Sequence, residues 1–136
     1  MADYLDEVCG FLAGCRFEDL SEGAVERARR VLADSMAAIS AGSREPEVIA
    51  LTEKVATCGG PAMVIGAGIR TEPGKAAFLN GTAGTFLEMD EGNQFSRGHP
   101  GIHAIPAALA YAEAHGTSGK ELLLAFVLGY EIGARI

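Results

Sequence analysis

Basic side chains are scarce in this chain: 11 Lys and Arg stand against 18 Asp and Glu, for a formal net charge of −7. A field of that sign repels phosphate backbones, so nucleic acid is not expected as a partner. Cysteine is also scarce. Cys9, Cys15 and Cys58 are odd in number and match no zinc or redox spacing, which leaves them reduced, structural thiols. Long apolar runs are missing too. The most apolar stretch, Leu122 to Gly129, falls well short of the ~20 residues a membrane helix needs, and Lys120, Glu131 and Arg135 flank it. No basic segment precedes an apolar one at the N-terminus, where Asp3 and Asp6 follow Met1, so the expectation is a cytoplasmic protein with no membrane partner.

What is present is helical pattern. Hydrophobic residues make up 49% of the 136 positions, enough for the core of one domain. Leu5, Val8, Cys9 and Leu12 recur at helical steps up to Gly14. Ser21 caps a second helix with the stripe Ala24, Val25, Ala28, Val31, Leu32, Ser35, Met36 and Ile39, ended by Ala41-Gly42-Ser43. Pro46 suits the first turn of a third helix, broken at Cys58-Gly59-Gly60-Pro61. Ala62 to Ile65 reads as a short strand or a packed loop, on which no sheet is built.

After Pro73-Gly74 comes a helix of small residues, Ala76, Ala77, Gly81, Ala83 and Gly84, whose glycines imply close approach by another helix or a ligand. Asp90 to Gly101 carries too many breakers for a regular element. A fifth helix with Ile105, Leu109 and Ala112 stops at His115-Gly116. Ser118 to Glu121 fits a capping box that opens a sixth helix with Leu122, Leu123, Phe126, Val127 and Tyr130. That helix meets no stop signal before Ile136, which suggests a single helical domain, 1–136, truncated at its C-terminus. The expected fold is all-α, with the glycine-rich helix near the centre and Val31, Leu32, Met36, Phe78, Phe86, Leu109, Leu123 and Val127 inside.

Between two apolar helices, Glu88, Asp90, Glu91, Arg97, His99 and His103 crowd together with Asn93 and Ser96. Histidine and carboxylates in one segment can divide general acid and general base work. Arg97 is suited to hold a substrate carboxylate in two parallel hydrogen bonds. The bland alternative is a solvated acidic loop whose histidines satisfy local carbonyls. A metal site is not expected, because no H-x-x-x-H or C-x-x-C pair is present.

The string Asn80-Gly81-Thr82-Ala83-Gly84-Thr85-Phe86-Leu87-Glu88-Met89-Asp90-Glu91-Gly92-Asn93, then Gly98-His99-Pro100-Gly101 and Pro106-Ala107-Ala108-Leu109-Ala110, resembles the signature of the MmgE/PrpD family. Gly116 to Gly119 and Gly129-Tyr130-Glu131 with Arg135 resemble two further blocks, so the likeness runs along nearly the whole chain. Two aspartates of the usual acidic cluster are glutamates here, and Thr85 or its neighbour stands where many members have histidine.

Members include 2-methylcitrate dehydratase, cis-aconitate decarboxylase and iminodisuccinate epimerase, which move a proton beside a carboxylate without a metal or organic cofactor. The resemblance implies that Asp90 and His99 do acid/base work on a di- or tricarboxylate, dehydratase-like. Glu91, Asn93, Arg97 and His103 are then nearby substrate-binding candidates, and Arg97 and His99 the donors for developing enolate charge. It also implies a homodimer, or a partner chain that supplies the rest of the site, since full members are longer and add an α/β lid domain. The other reading is a non-catalytic helical assembly module, or one subunit of a split enzyme.

Overall fold

The computed structural model describes residues 3–135. Its helices are α1 (Tyr4–Gly14), α2 (Glu22–Gly42), α3 (Pro46–Val55), α4 (Pro73–Phe86), α5 (Pro100–His115) and α6 (Gly119–Gly133), with a 3-10 turn at Phe17–Asp19. The fold is mostly helical, as the periodicities predict.

The caps explain the boundaries. Ser21 Oγ accepts from the Ala24 amide at the start of α2, and Pro46 and Pro73 sit in the first turns of α3 and α4. At α6, Ser118 and Glu121 form the reciprocal capping box, with Ser118 Oγ accepting from Glu121 N and a Glu121 carboxylate oxygen accepting from Ser118 N. Gly116 ends α5 at φ 63°, a left-handed conformation that side chains disfavour.

α4 lies at the centre, packed on α2 and α5 and touching α3; α5 packs in turn on α6. The close approach inferred for α4 is made by helices. A Cβ on Gly84 would lie 2.2 Å from Ile102 Cδ1 of α5 and 3.1 Å from Ile39 Cγ1 of α2, so only glycine admits both neighbours. One buried cluster joins Ala28, Ile105, Leu123 and Phe126; a second joins Ile39, Val48, Ala83 and Ile102. α1 buries none of its residues and leaves Tyr4, Leu5 and Phe11 exposed.

Three expectations need correction. The chain builds a small sheet after all: β1 (Ala62–Val64) pairs antiparallel with β2 (Ile69–Thr71), across a turn with Gly66 and Gly68 at positive φ. β2 is hard to see in sequence because it is three residues long with a charged centre, Arg70. Phe78 and Phe86 are exposed, at 54% and 41%, because α4 turns its small residues and Leu79 inward and this stripe outward. Of the other proposed core residues, Leu123 is buried, while Val31, Leu32, Met36, Leu109 and Val127 are half-buried. Finally, Pro100 and Gly101 begin α5 rather than end the loop: proline is tolerated where the first amides lack partners anyway.

Candidate active site

The segment from Leu87 to His99 crosses from α4 to α5 and carries most of the charged cluster. Its shape is set by Asn93. The Asn93 amide donates to the Gly98 carbonyl at 2.8 Å, and Asn93 Oδ1 accepts from the amides of Phe95 at 2.8 Å and Ser96 at 3.2 Å. This Asx turn folds residues 93–98 back on themselves. Arg97 takes the left-handed conformation needed to close it, at φ 51°, and Glu88 does the same where α4 ends, at φ 53°.

The fold brings Asp90 and His99 together. Asp90 Oδ2 lies 3.0 Å from His99 Nδ1, with the aspartate side chain 4% exposed and the histidine 46% exposed. The contact is close but off-axis: the ring N–H is not aimed along it, and this buried oxygen has no aligned donor. Acid–base pairs commonly align only once substrate closes around them. Exposure of the ring on one side and burial of the carboxylate on the other give the pair one face toward solvent and one anchor in protein.

His99 and His103 share a cleft of about 290 Å³ with Ser96, Gly98, Gly129 and Gly133. His103, on α5, also lines an adjoining cleft of about 280 Å³ with Phe78, Thr82 and Thr85 of α4. Arg97 is exposed and makes no ion pair among the described residues. A larger cleft of about 580 Å³ lies between α3, the hairpin and α4, walled by Val48, Ile65 and Leu79. It includes no residue of the charged cluster, so the chemistry directs attention to the smaller clefts. Among the described residues, no three His, Cys, Asp or Glu side chains converge as metal ligands would.

Glu91 and Asn93 turn inward. Glu91 Oε2 accepts from the Gly101 amide at 3.0 Å, capping α5 where His99, the residue before the helix, offers no side-chain bond of its own. A Cβ on Gly101 would lie 2.5 Å from that oxygen, so glycine leaves the room the cap needs. Glu91 Oε1 accepts from the Tyr130 hydroxyl, which also accepts from Asn93 Nδ2 at 3.1 Å. Burial, then the bond to Glu91, raises the Tyr130 pKa above the usual phenol value, against a smaller opposing effect of Asn93. Tyr130 is the residue that the helical pattern concealed, because its spacing on α6 reads simply as core; only the neighbouring Gly129 and Glu131 set it apart.

Comparison with known proteins agrees with this arrangement of blocks: the MmgE/PrpD N-terminal domain matches residues 6–136. The chain belongs to the MmgE/PrpD family. It is 30% identical to a cis-aconitate decarboxylase-like protein of Aspergillus oryzae, over 96% of this chain and 29% of that protein. It is 27% identical to the cis-aconitate decarboxylases of Aspergillus terreus and Mus musculus, over 96% of this chain and 28% of each. The chain thus spans less than a third of the length of the curated relatives it matches. Among the described residues no helix is long and apolar enough to cross a membrane.

Proposed function

We propose that this domain supplies the acid/base half of an active site that moves a proton beside a carboxylate of a di- or tricarboxylate. One observation carries the reading: a nearly buried Asp90 carboxylate lies 3.0 Å from a half-exposed His99 imidazole at the edge of a cleft. Loss of water, loss of carbon dioxide and epimerisation all place negative charge next to a carboxylate, and all need a positioned proton donor or acceptor. His99 is that group and Asp90 holds it. Arg97 and His103 take the substrate carboxylates, while Glu91 and Asn93 shape the loop that carries the pair. Kinship with decarboxylases named for cis-aconitate, a tricarboxylate, supports the substrate class.

The test is turnover of a panel of di- and tricarboxylates after co-expression with a polypeptide supplying the later segments of the relatives. Asp90→Asn and His99→Gln are each expected to lower kcat by about 10²- to 10⁴-fold, the usual yield of general acid–base catalysis. Arg97→Ala should raise KM more than it lowers kcat. Unchanged rates in the first two variants would remove the pair from the mechanism.

A second reading is a non-catalytic assembly module, or a subunit that completes its site with a separate chain. It draws on α1, whose exposed Tyr4, Leu5 and Phe11 await a covering surface. A complemented protein that assembles but turns over none of the panel would favour the non-catalytic module, whereas restored turnover is what a subunit of a split enzyme would give.

A further inference from the structure

Two segments distant in sequence meet at one hydroxyl. Tyr130 projects from α6, and its phenol oxygen donates to Glu91 and accepts from Asn93, both in the segment between α4 and α5. Glu91 passes the restraint on through its second oxygen to the Gly101 amide in the first turn of α5. Asn93 passes it on through the 2.8 Å bond from its amide to the Gly98 carbonyl. The residues fixed in this way are 91, 93, 98 and 101. Asp90 directly precedes one of them, and His99 lies between the last two.

A side chain placed between two pinned backbone positions has little freedom to drift, whereas releasing the pins lets both partners of a 3.0 Å contact move apart. Glu91 has no other donor among the described residues than Tyr130 and Gly101, so the phenol holds half of its hydrogen bonding. Burial and the bond to Glu91 favour the neutral phenol, so the hydroxyl stays a donor across the neutral range. Phe126 stacks edge-on against the Tyr130 ring with centroids 5.8 Å apart, which holds the ring where the hydroxyl reaches the loop.

We infer that Tyr130 is a positioning residue: through Glu91 and Asn93 it sets the distance between Asp90 and His99 without itself meeting substrate. This rests on the reading of Asp90 and His99 as the acid/base pair. It differs from a packing role, since the ring alone would hold α6 in place and the hydroxyl would be dispensable.

The test reads His99 directly, by nitrogen-15 resonances of the imidazoles in the folded 136-residue chain. Asp90→Asn is expected to shift the His99 ring nitrogens. Tyr130→Phe, which keeps the ring and removes the hydroxyl, should shift them in the same direction and leave His115 unmoved. Glu91→Gln provides an independent route: with one acceptor oxygen in place of two it cannot accept from both the Gly101 N–H and the Tyr130 hydroxyl, so one of the two pins is lost while the side-chain volume is kept. Should Tyr130→Phe not fold, Glu91→Gln alone decides.

His99 resonances that overlay on the parent spectrum in the folded variants would overturn the inference, and so would a His99 indifferent to Asp90→Asn. Because this readout needs no turnover, it separates from the functional reading. A shifted His99 together with an Asp90→Asn enzyme of full activity would keep the positioning network and discard the acid/base role.

Discussion

Asn80 grips β1 from both sides: its Oδ1 accepts from the Ile65 amide and its Nδ2 donates to the Met63 carbonyl, each at 2.9 Å. The two backbone groups fix which way the amide points, because one needs an acceptor and the other a donor. At 2% exposure, Asn80 leaves no room for water to substitute.

Asn80→Ala therefore strands two backbone groups and is expected to cost about 2–6 kcal/mol, at roughly 1–3 kcal/mol for each unpaired group. Urea titration followed by far-UV dichroism measures it. Asn80→Asp keeps the acceptor but sets a carboxylate against a carbonyl, so it should recover stability as the pH is lowered and the acid gains a proton. An alanine variant within a few tenths of a kcal/mol of the parent would mean that the hairpin is held by its other contacts.

Two glycines of α4, Gly81 and Gly84, make opposite predictions. A Cβ on Gly81 meets only Pro106, at 4.0 Å, whereas one on Gly84 meets Ile102 at 2.2 Å. Gly81→Ala should stabilise by up to ~1 kcal/mol through helix propensity. Gly84→Ala should destabilise, since overpacking of about 1–3 kcal/mol outweighs that gain. Adding Ile102→Val, which removes the nearest atom, should restore part of the loss. Thermal unfolding of the four proteins checks the pattern, and a stabilised Gly84→Ala would show that α5 can shift away from α4.

Acid should weaken α6 at its first turn. The bond from the Ser118 amide, followed by that with its hydroxyl, lowers the Glu121 pKa below the ordinary 4.5. A depressed carboxyl pKa stabilises fully above the unfolded value and ceases to do so as pH falls through the folded one. The Tm difference between the parent and Glu121→Gln should hold steady near neutrality and close below pH 4.5. A gap unchanged into acid would assign the cap to the neutral side chain instead.

The parts of the fold legible in sequence were those with local causes. Ser21, Ser118 and Gly116 act on backbone within a few residues, and each sits where its cap requires. The small residues of α4 also announced close packing, although they could not say that Ile39 and Ile102 were the neighbours. What stayed hidden depended on distant partners. β2 exists because β1 lies beside it, and β1 because Asn80 holds it.

Phe78 and Phe86 read as core by residue type, but both are exposed, and Phe78 lines the cleft of His103 and Thr85. The charged cluster was visible as composition, and the nearness of Asp90 to His99 followed only from the turn that Asn93 builds. That Glu91 and Asn93 look inward could not be read at all without Tyr130, 39 positions beyond Glu91.

That separation also orders events during synthesis. The acidic cluster leaves the ribosome first, followed by the whole of α5, and only then the residue that ties the loop down. Until α6 docks, Glu91 and Asn93 lack their common partner, and the α5–α6 hairpin has to close before the Asp90–His99 spacing is set. The acidic loop thus stays untied from the time it is made until α6 supplies the hydroxyl that holds it.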